Sequence, residues 1–201
     1  MYPSREEAHA ILKEAGELNP GPWINHVRVA AYCADKIASS LGYLDADKAY
    51  VQGLLHDIGR KFGTGHLRHV YDGYKYMLSL GYDEVARTCL THSFQNPEKG
   101  LEEYIGKNDL SEAETEFLLQ ELKSIEIDEY DRLIQLCDGL AGSDRVLDLE
   151  DRMNDVKERY GWYPKSSWDS NLETLADFEA KLGRSVYEVV DQENFRIDQE
   201  A

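Results

Sequence analysis

Five of the six histidines, His26, His56, His66, His69 and His92, fall between positions 26 and 92, and one of them is followed directly by an aspartate, His56-Asp57. A further aspartate, Asp138, lies late in an apolar run. Imidazole nitrogen and carboxylate oxygen suit Mn, Fe, Co, Ni or Zn, with Mg admitted through its oxygen ligands. The lack of thiolates argues against a closed structural zinc site. Neighbouring residues on a helix point about 100° apart, so His56 and Asp57 converge on one site most easily at a helix end. One carboxylate between two ions about 3.5–4 Å apart can bridge them and leave positions open for water and substrate.

Such a site needs several helix ends brought together, and the apolar pattern supplies them. From Ile24, residues Val27, Ala30, Ala31, Ala34, Ile37, Ala38 and Leu41 form one buried helical stripe that stops at Gly42. Asp45 caps a second helix that runs through Ala49, Val51, Leu54 and Leu55 into His56-Asp57. Ile58 to Gly65 reads as a glycine-rich loop. A third helix covers His66 to Leu80, and a fourth, capped by Asp83, carries Val85, Ala86, Cys89, Leu90 and His92. Beyond Pro97 the chain turns polar and acidic. Ser111 and Glu114 form a capping box for a helix to about Lys123, whose acidic face reads as solvated, and Asp128 to Leu140 is another helix. The last sixty or so residues predict two or three amphipathic helices, broken around Gly161–Pro164 and recapped by Ser170-x-x-Glu173. The fold class expected is all-α.

The 201 residues suit one domain of ordinary size, and 42% apolar with 30% charged residues is a globular composition. With 22 Lys+Arg against 39 Asp+Glu, the net charge is −17, so a long nucleic acid is not an expected partner. A small anionic ligand remains compatible, because distant charges are screened within about 8–10 Å. Neither a membrane span nor a signal peptide is visible, so the expected location is cytoplasmic. Cys33, Cys89 and Cys137 fit no disulfide framework or CxxC site and read as buried, reduced hydrophobes.

The string Leu54-Leu55-His56-Asp57-Ile58-Gly59-Arg60, with His26 before it and Asp138 after it, resembles the HD superfamily of metal-dependent phosphohydrolases. His69-Val70-Tyr71-Asp72-Gly73 is similar to that family's third-histidine segment, and Thr91-His92-Ser93 falls where its fourth histidine would. The resemblance spans residues 26 to 138. It implies an HD-domain helical bundle over residues 1–145, with residues 146–201 as a C-terminal helical extension packed on the same domain. It also implies that His26, His56, Asp57 and Asp138 ligate one ion, and that His69 and His92 add a second bridged by Asp57. His66, three residues before His69, could exchange roles with it.

The GYP motif of cyclic-di-GMP phosphodiesterases and the synthetase region of (p)ppGpp enzymes are both missing. The nearest small relatives implied are stand-alone HD hydrolases, including the diadenosine-tetraphosphate hydrolases, whose arginine after the last Asp corresponds loosely to Arg145. The activity implied is cleavage of a small phosphoester, such as a nucleotide, by a metal-bound hydroxide. Asp57 sits at its centre, and Arg60 and Lys61 are phosphate contacts, ahead of Arg28 and Arg68. A di-iron oxygenase and a non-catalytic metal- or nucleotide-binding module are the alternatives. Trp162, Tyr163 and Trp168 read as packing for the extension, the alternative being a roof over the metal cleft.

Overall fold

The computed structural model describes residues 1–63, 65–95 and 109–197. Thr64 of the glycine-rich loop, and the polar stretch after Pro97 as far as residue 108, lie outside the described residues. Within them the chain is all-α, with one isolated bridge pairing Ala141 and Val146. The helices are α1 (Arg5–Leu18), α2 (Trp23–Leu41), α3 (Ala46–Leu55), α4 (Arg68–Ser79), α5 (Asp83–Thr91), α6 (Glu112–Lys123), α7 (Glu129–Leu140), α8 (Leu149–Tyr160), α9 (Lys165–Leu182) and α10 (Val186–Val189). None is long and apolar enough to cross a membrane.

Helix α2 is the axis of the molecule. Its Val27 and Ala31 join Leu12 of α1, Val51 and Leu54 of α3, and Val85 and Cys89 of α5 in one buried cluster. Its Ala30, Cys33, Ala34 and Ile37 face the other way, against Leu133, Ile134 and Leu136 of α7 and Phe178, Val186 and Val190 near the C-terminus. A helix buried on both sides carries small residues where neighbours come closest. A Cβ on Gly53 of α3 would stand 2.8 Å from the Ala31 Cα, so backbone there rests on backbone.

Most expected elements are present, with four differences. The segment after Asp57 is not an open loop: Ile58–Phe62 is a 3₁₀ turn, closed by the Arg60 amide donating to the Asp57 carbonyl at 3.0 Å and pinned by the fully buried Ile58. Asp83 is the first residue of α5, not its cap. Ser170 caps nothing, because α9 starts after Pro164 and runs unbroken through it, with Ser167, Asn171 and Thr174 buried along one side. The acidic α6 is more than a solvated face. Its Leu118 and Leu122 pack on Leu67, Val70, Leu90 and Phe94, while Glu114 and Glu121 bond to Arg68 and Tyr74. The capping boxes at Ser111/Glu114 and Asp128/Asp131 are both formed.

Candidate metal centre

Each chemically capable side chain sits at or near a helix end, where neighbouring residues diverge least and backbone groups need outside partners. His26 is in the first turn of α2, and His56 is the C-cap of α3 with Asp57 next to it. His69 is the second residue of α4, His92 the C-cap of α5, and Asp138 lies in the last turn of α7. Glycines bring these ends together. A Cβ on Gly59 would stand 2.0 Å from the His69 carbonyl oxygen and 2.5 Å from the Gly73 amide nitrogen. The turn bearing Asp57 therefore lies directly on the backbone bearing His69, and the Gly four residues after His69 faces the Gly two residues after Asp57.

The result is two overlapping groups, His26/His56/Asp57 and Asp57/His69/His92, each with one candidate ligand atom per residue, all within 4.8 Å of one another. Asp138 closes the first group: its Oδ1 is 2.9 Å from His26 Nε2 and 3.7 Å from His56 Nε2. In the second, Asp57 Oδ1 is 3.1 Å from His69 Nε2 and 3.5 Å from His92 Nε2, and the two imidazole Nε2 atoms stand 3.2 Å apart. Ligands at adjacent positions 2.0–2.1 Å from one ion stand about 3 Å from each other.

The unsatisfied atoms fit the same reading. His56 Nε2 and Asp57 Oδ1 are buried with no hydrogen-bond partner, although an unpaired buried polar group costs about 1–3 kcal/mol. Three imidazoles are held from behind: His26 Nδ1 meets the Ala141 carbonyl at 3.0 Å, His56 Nδ1 the Gly53 carbonyl at 2.8 Å, and His92 Nδ1 the Cys89 carbonyl at 2.9 Å. With the proton on Nδ1, each ring aims the Nε2 lone pair inward, the tautomer a metal requires. Burial and the nearby Arg60 guanidinium push the His69 pKa down to about 3, so that ring is neutral. Burial opposes charge on Asp57, but Arg60 and the surrounding imidazoles hold its carboxyl well below the usual range. Burial likewise opposes charge on Asp138, and the adjacent His26 and His56 imidazoles hold it low. Burial would lower the His56 pKa, but Asp138 and Asp57 raise it above the ordinary imidazole value. Two anionic oxygens facing neutral or readily neutralised nitrogens, with no thiolate, make a donor set compatible with a divalent metal.

Above these groups opens a cleft of about 830 Å³. His26, Asp57, His69, His92 and Asp138 line it, with His56 fully buried behind them. Arg60 also lines it and pairs through Nε with Asp57 Oδ2. Arg145 reaches it from the turn after α7. His66 touches the wall but belongs to neither ligand group, which leaves His69 as the histidine brought to Asp57. Lys61 is not brought to the site. Its ammonium meets Glu14 at 3.2 Å and lies 3.9 Å over the Tyr76 ring, because one further residue of 3₁₀ turn aims it at α1 and α4. Arg28 and Arg68 are also absent from the cleft wall. Trp162 and Tyr163 do face the cleft, as the alternative reading had it, while Trp168 packs into the core with its ring across that of Tyr163.

Two supporting groups have no signal in the sequence. Asp109 accepts hydrogen bonds from the amides of His66, Leu67 and Arg68 at 2.7, 2.8 and 3.0 Å, capping α4 from more than forty residues away, where Leu67 provides no side-chain cap. Asp131, buried on α7, pairs with Arg87 and accepts from Thr91 Oγ1 at 2.8 Å, while Gln135 donates to the Thr91 carbonyl at 3.0 Å. This network fixes the residue just before His92. Both are partnerships between remote segments, which no local pattern announces.

Searches of curated proteins and of solved structures find no match to this chain. The HD domain family model matches residues 23–143, which take in all six clustered groups from His26 to Asp138, and the chain belongs to the HD domain family.

Proposed function

We propose that the protein is a metal-dependent phosphohydrolase that cleaves a small phosphoester at the floor of the cleft. The observation that carries this is the pairing of a buried, inward-aimed His/Asp set with a guanidinium on the same wall, Arg60 beside Asp57. His26, His56 and Asp138 would hold one divalent ion and His69 and His92 a second, with Asp57 shared between them. Such an ion supplies Lewis-acid charge and lowers the pKa of water to about 7.

The chain's own residues supply the rest. Asp57 and Asp138 are ionised at neutral pH and bring negative charge to the floor, which favours a divalent cation in a molecule that already carries −17. Arg60 neutralises the second oxygen of Asp57 and presents its guanidinium along the cleft, where it suits a phosphate oxygen. Burial of His56, His69 and His92 among the described residues keeps bulk water from the far side of the floor, and a substrate would enter from the cleft. The cleft volume is that of a small-molecule site.

The test is phosphate release from mononucleotides, dinucleoside polyphosphates and generic phosphoesters, with Mn, Fe(II), Co or Mg, wild type beside Asp57→Ala. Release that requires metal and disappears in Asp57→Ala is the expected outcome. A fully metal-loaded, folded protein that releases no phosphate from any of them would overturn the proposal, and dioxygen uptake by the iron-loaded protein would then point to the oxygenase alternative.

A further inference from the structure

Two segments bring the first ligand group together, the opening turn of α2 with His26 and the 3₁₀ turn that follows Asp57, and a residue outside both holds each of them. Asn19, the C-cap of α1, precedes the segment matched by the family model. Its amide donates to the Ala15 carbonyl at 3.0 Å, so the backbone alone closes the helix and the side chain is free for another partner. That partner is the Arg60 carbonyl, which accepts from Asn19 Nδ2 at 2.5 Å. The Asn19 carbonyl in turn accepts from Trp23 Nε1 at 2.9 Å, and Trp23 begins α2 three residues before His26.

Arg60 passes that hold on to Asp57, to which it is joined twice: its amide donates to the Asp57 carbonyl at 3.0 Å, and its Nε pairs with Asp57 Oδ2. Hydrogen-bond geometry in a 3₁₀ turn is poor, this one has five residues, and Asp57 gives it no side-chain cap. Its place is therefore set by what it rests on. On one side Gly59 lies against the backbone of α4, which sets Asp57 against His69. On the other, α1 holds it at two successive residues, Arg60 through Asn19 and Lys61 through Glu14, whose carboxylate meets the ammonium at 3.2 Å. A carbonyl only accepts, so the Arg60 oxygen requires a donor at position 19, and the side-chain amide of asparagine supplies one.

We infer that Asn19 is a positioning residue for the metal centre: through Arg60 and Trp23 it ties the turn of Asp57 to the start of the helix of His26, and so fixes the spacing of the first ligand group. It touches neither ion nor substrate. The inference rests on the metal-binding part of the proposed function and is independent of hydrolysis.

The test is calorimetric binding of Mn and the visible absorption spectrum of the Co(II)-loaded protein, both on the full chain, with thermal unfolding of the chelated protein alongside. Asn19→Ala removes the donor. Asn19→Asp keeps the shape, and with it the packing, but turns an acceptor toward the Arg60 carbonyl. Ser4→Ala is the control: it breaks the capping box at the other end of α1, about 20 Å away, and so loosens the helix without touching the turn. Both Asn19 variants are expected to weaken Mn binding about tenfold, the scale on which groups supporting a metal ligand act, and to shift the Co(II) bands. Ser4→Ala should lower the Tm of the chelated protein and leave the Kd and the spectrum at their wild-type values. A wild-type Kd and spectrum in both Asn19 variants would overturn the inference. So would an equal loss of affinity in Ser4→Ala, which would reduce the effect to helix stability. Should Asn19→Ala fail to fold, the isosteric Asn19→Asp decides alone. A wild type that takes up neither Mn nor Co would overturn the metal centre and the role of Asn19 together. Weakened binding in the Asn19 variants of a protein that hydrolyses no phosphoester would keep the positioning role and remove the hydrolase.

Discussion

Replacing Gly59 by alanine tests whether backbone contact, and not side-chain packing, sets the metal centre. The added Cβ would stand 2.0 Å from the His69 carbonyl oxygen, whereas carbon and oxygen in contact sit about 3.3 Å apart, so the 3₁₀ turn and α4 must separate by about 1.3 Å. Both obstacles are backbone atoms, His69 O and Gly73 N, so no rotamer change relieves the clash. Overpacking costs about 1–3 kcal/mol even where side chains can adjust, which puts this substitution near about 3 kcal/mol. For a chain of this length that is a fall in Tm of roughly 6–12 °C. The same displacement pulls Asp57 from His69, now 3.1 Å apart, and a misplacement of about 1 Å is enough to cost about 100-fold in rate. Gly16→Ala is the control, because its Cβ meets only the flexible end of Ile24 and alanine is the better helix former inside α1. Thermal unfolding and bound-metal content, measured on both variants after loading with Mn, decide the matter. Gly59→Ala with full metal and a Tm within about 2 °C of wild type would refute the reasoning.

Other perturbations probe the surrounding structure. Asp109→Ala removes the remote cap of α4 and should cost about 1 kcal/mol and weaken metal binding about tenfold, with Asp109→Asn restoring only the part that one oxygen accepts from Leu67 and Arg68; unchanged affinity in the alanine variant would count against the link. Arg87→Leu strands the buried Asp131 carboxylate and should lower stability by about 3 kcal/mol, read as a shift in the urea midpoint. A divalent ion at about 100 times its Kd should raise stability by about 2.7 kcal/mol and Tm by several degrees, an effect that Asp57→Ala should abolish and a scan with and without chelator reveals. Burial raises the pKa of Cys33, Cys89 and Cys137, so at pH 8 the native protein should leave a thiol reagent unreacted and the denatured chain should consume three equivalents; rapid reaction of the native protein would contradict their burial.

The elements nearest the chemistry were legible because their signals are local. The apolar stripe of α2, the Asp45 cap, the Ser111/Glu114 capping box and the run into His56-Asp57 depend on residues within one or two turns, and the structure has them all. His69 was harder to tell from His66, since only the contact of Gly59 with α4 turns one of them toward Asp57. Lys61 reads as a phosphate contact by its adjacency to Arg60, but along a 3₁₀ turn the next residue points to another face. Ser170 and Glu173 match a capping pattern that burial of Asn171 and Thr174 overrides. The aromatic residues after α8 read as packing from the sequence, which Trp168 is; Trp162 and Tyr163 face the cleft because Pro164 ends one helix direction and begins another.

The position of His56, fully buried behind four histidine and aspartate neighbours that are themselves less than a tenth exposed, bears on the order of events. Among the described residues the groups of the floor reach solvent through the cleft, so an incoming ion and an incoming substrate would share that passage. A substrate seated above the floor then acts as a stopper. If the site hydrolyses a phosphoester as proposed, metal loads first, should exchange slowly while the cleft is filled, and should leave only after product does, so that chelators inactivate the resting protein faster than the protein in turnover.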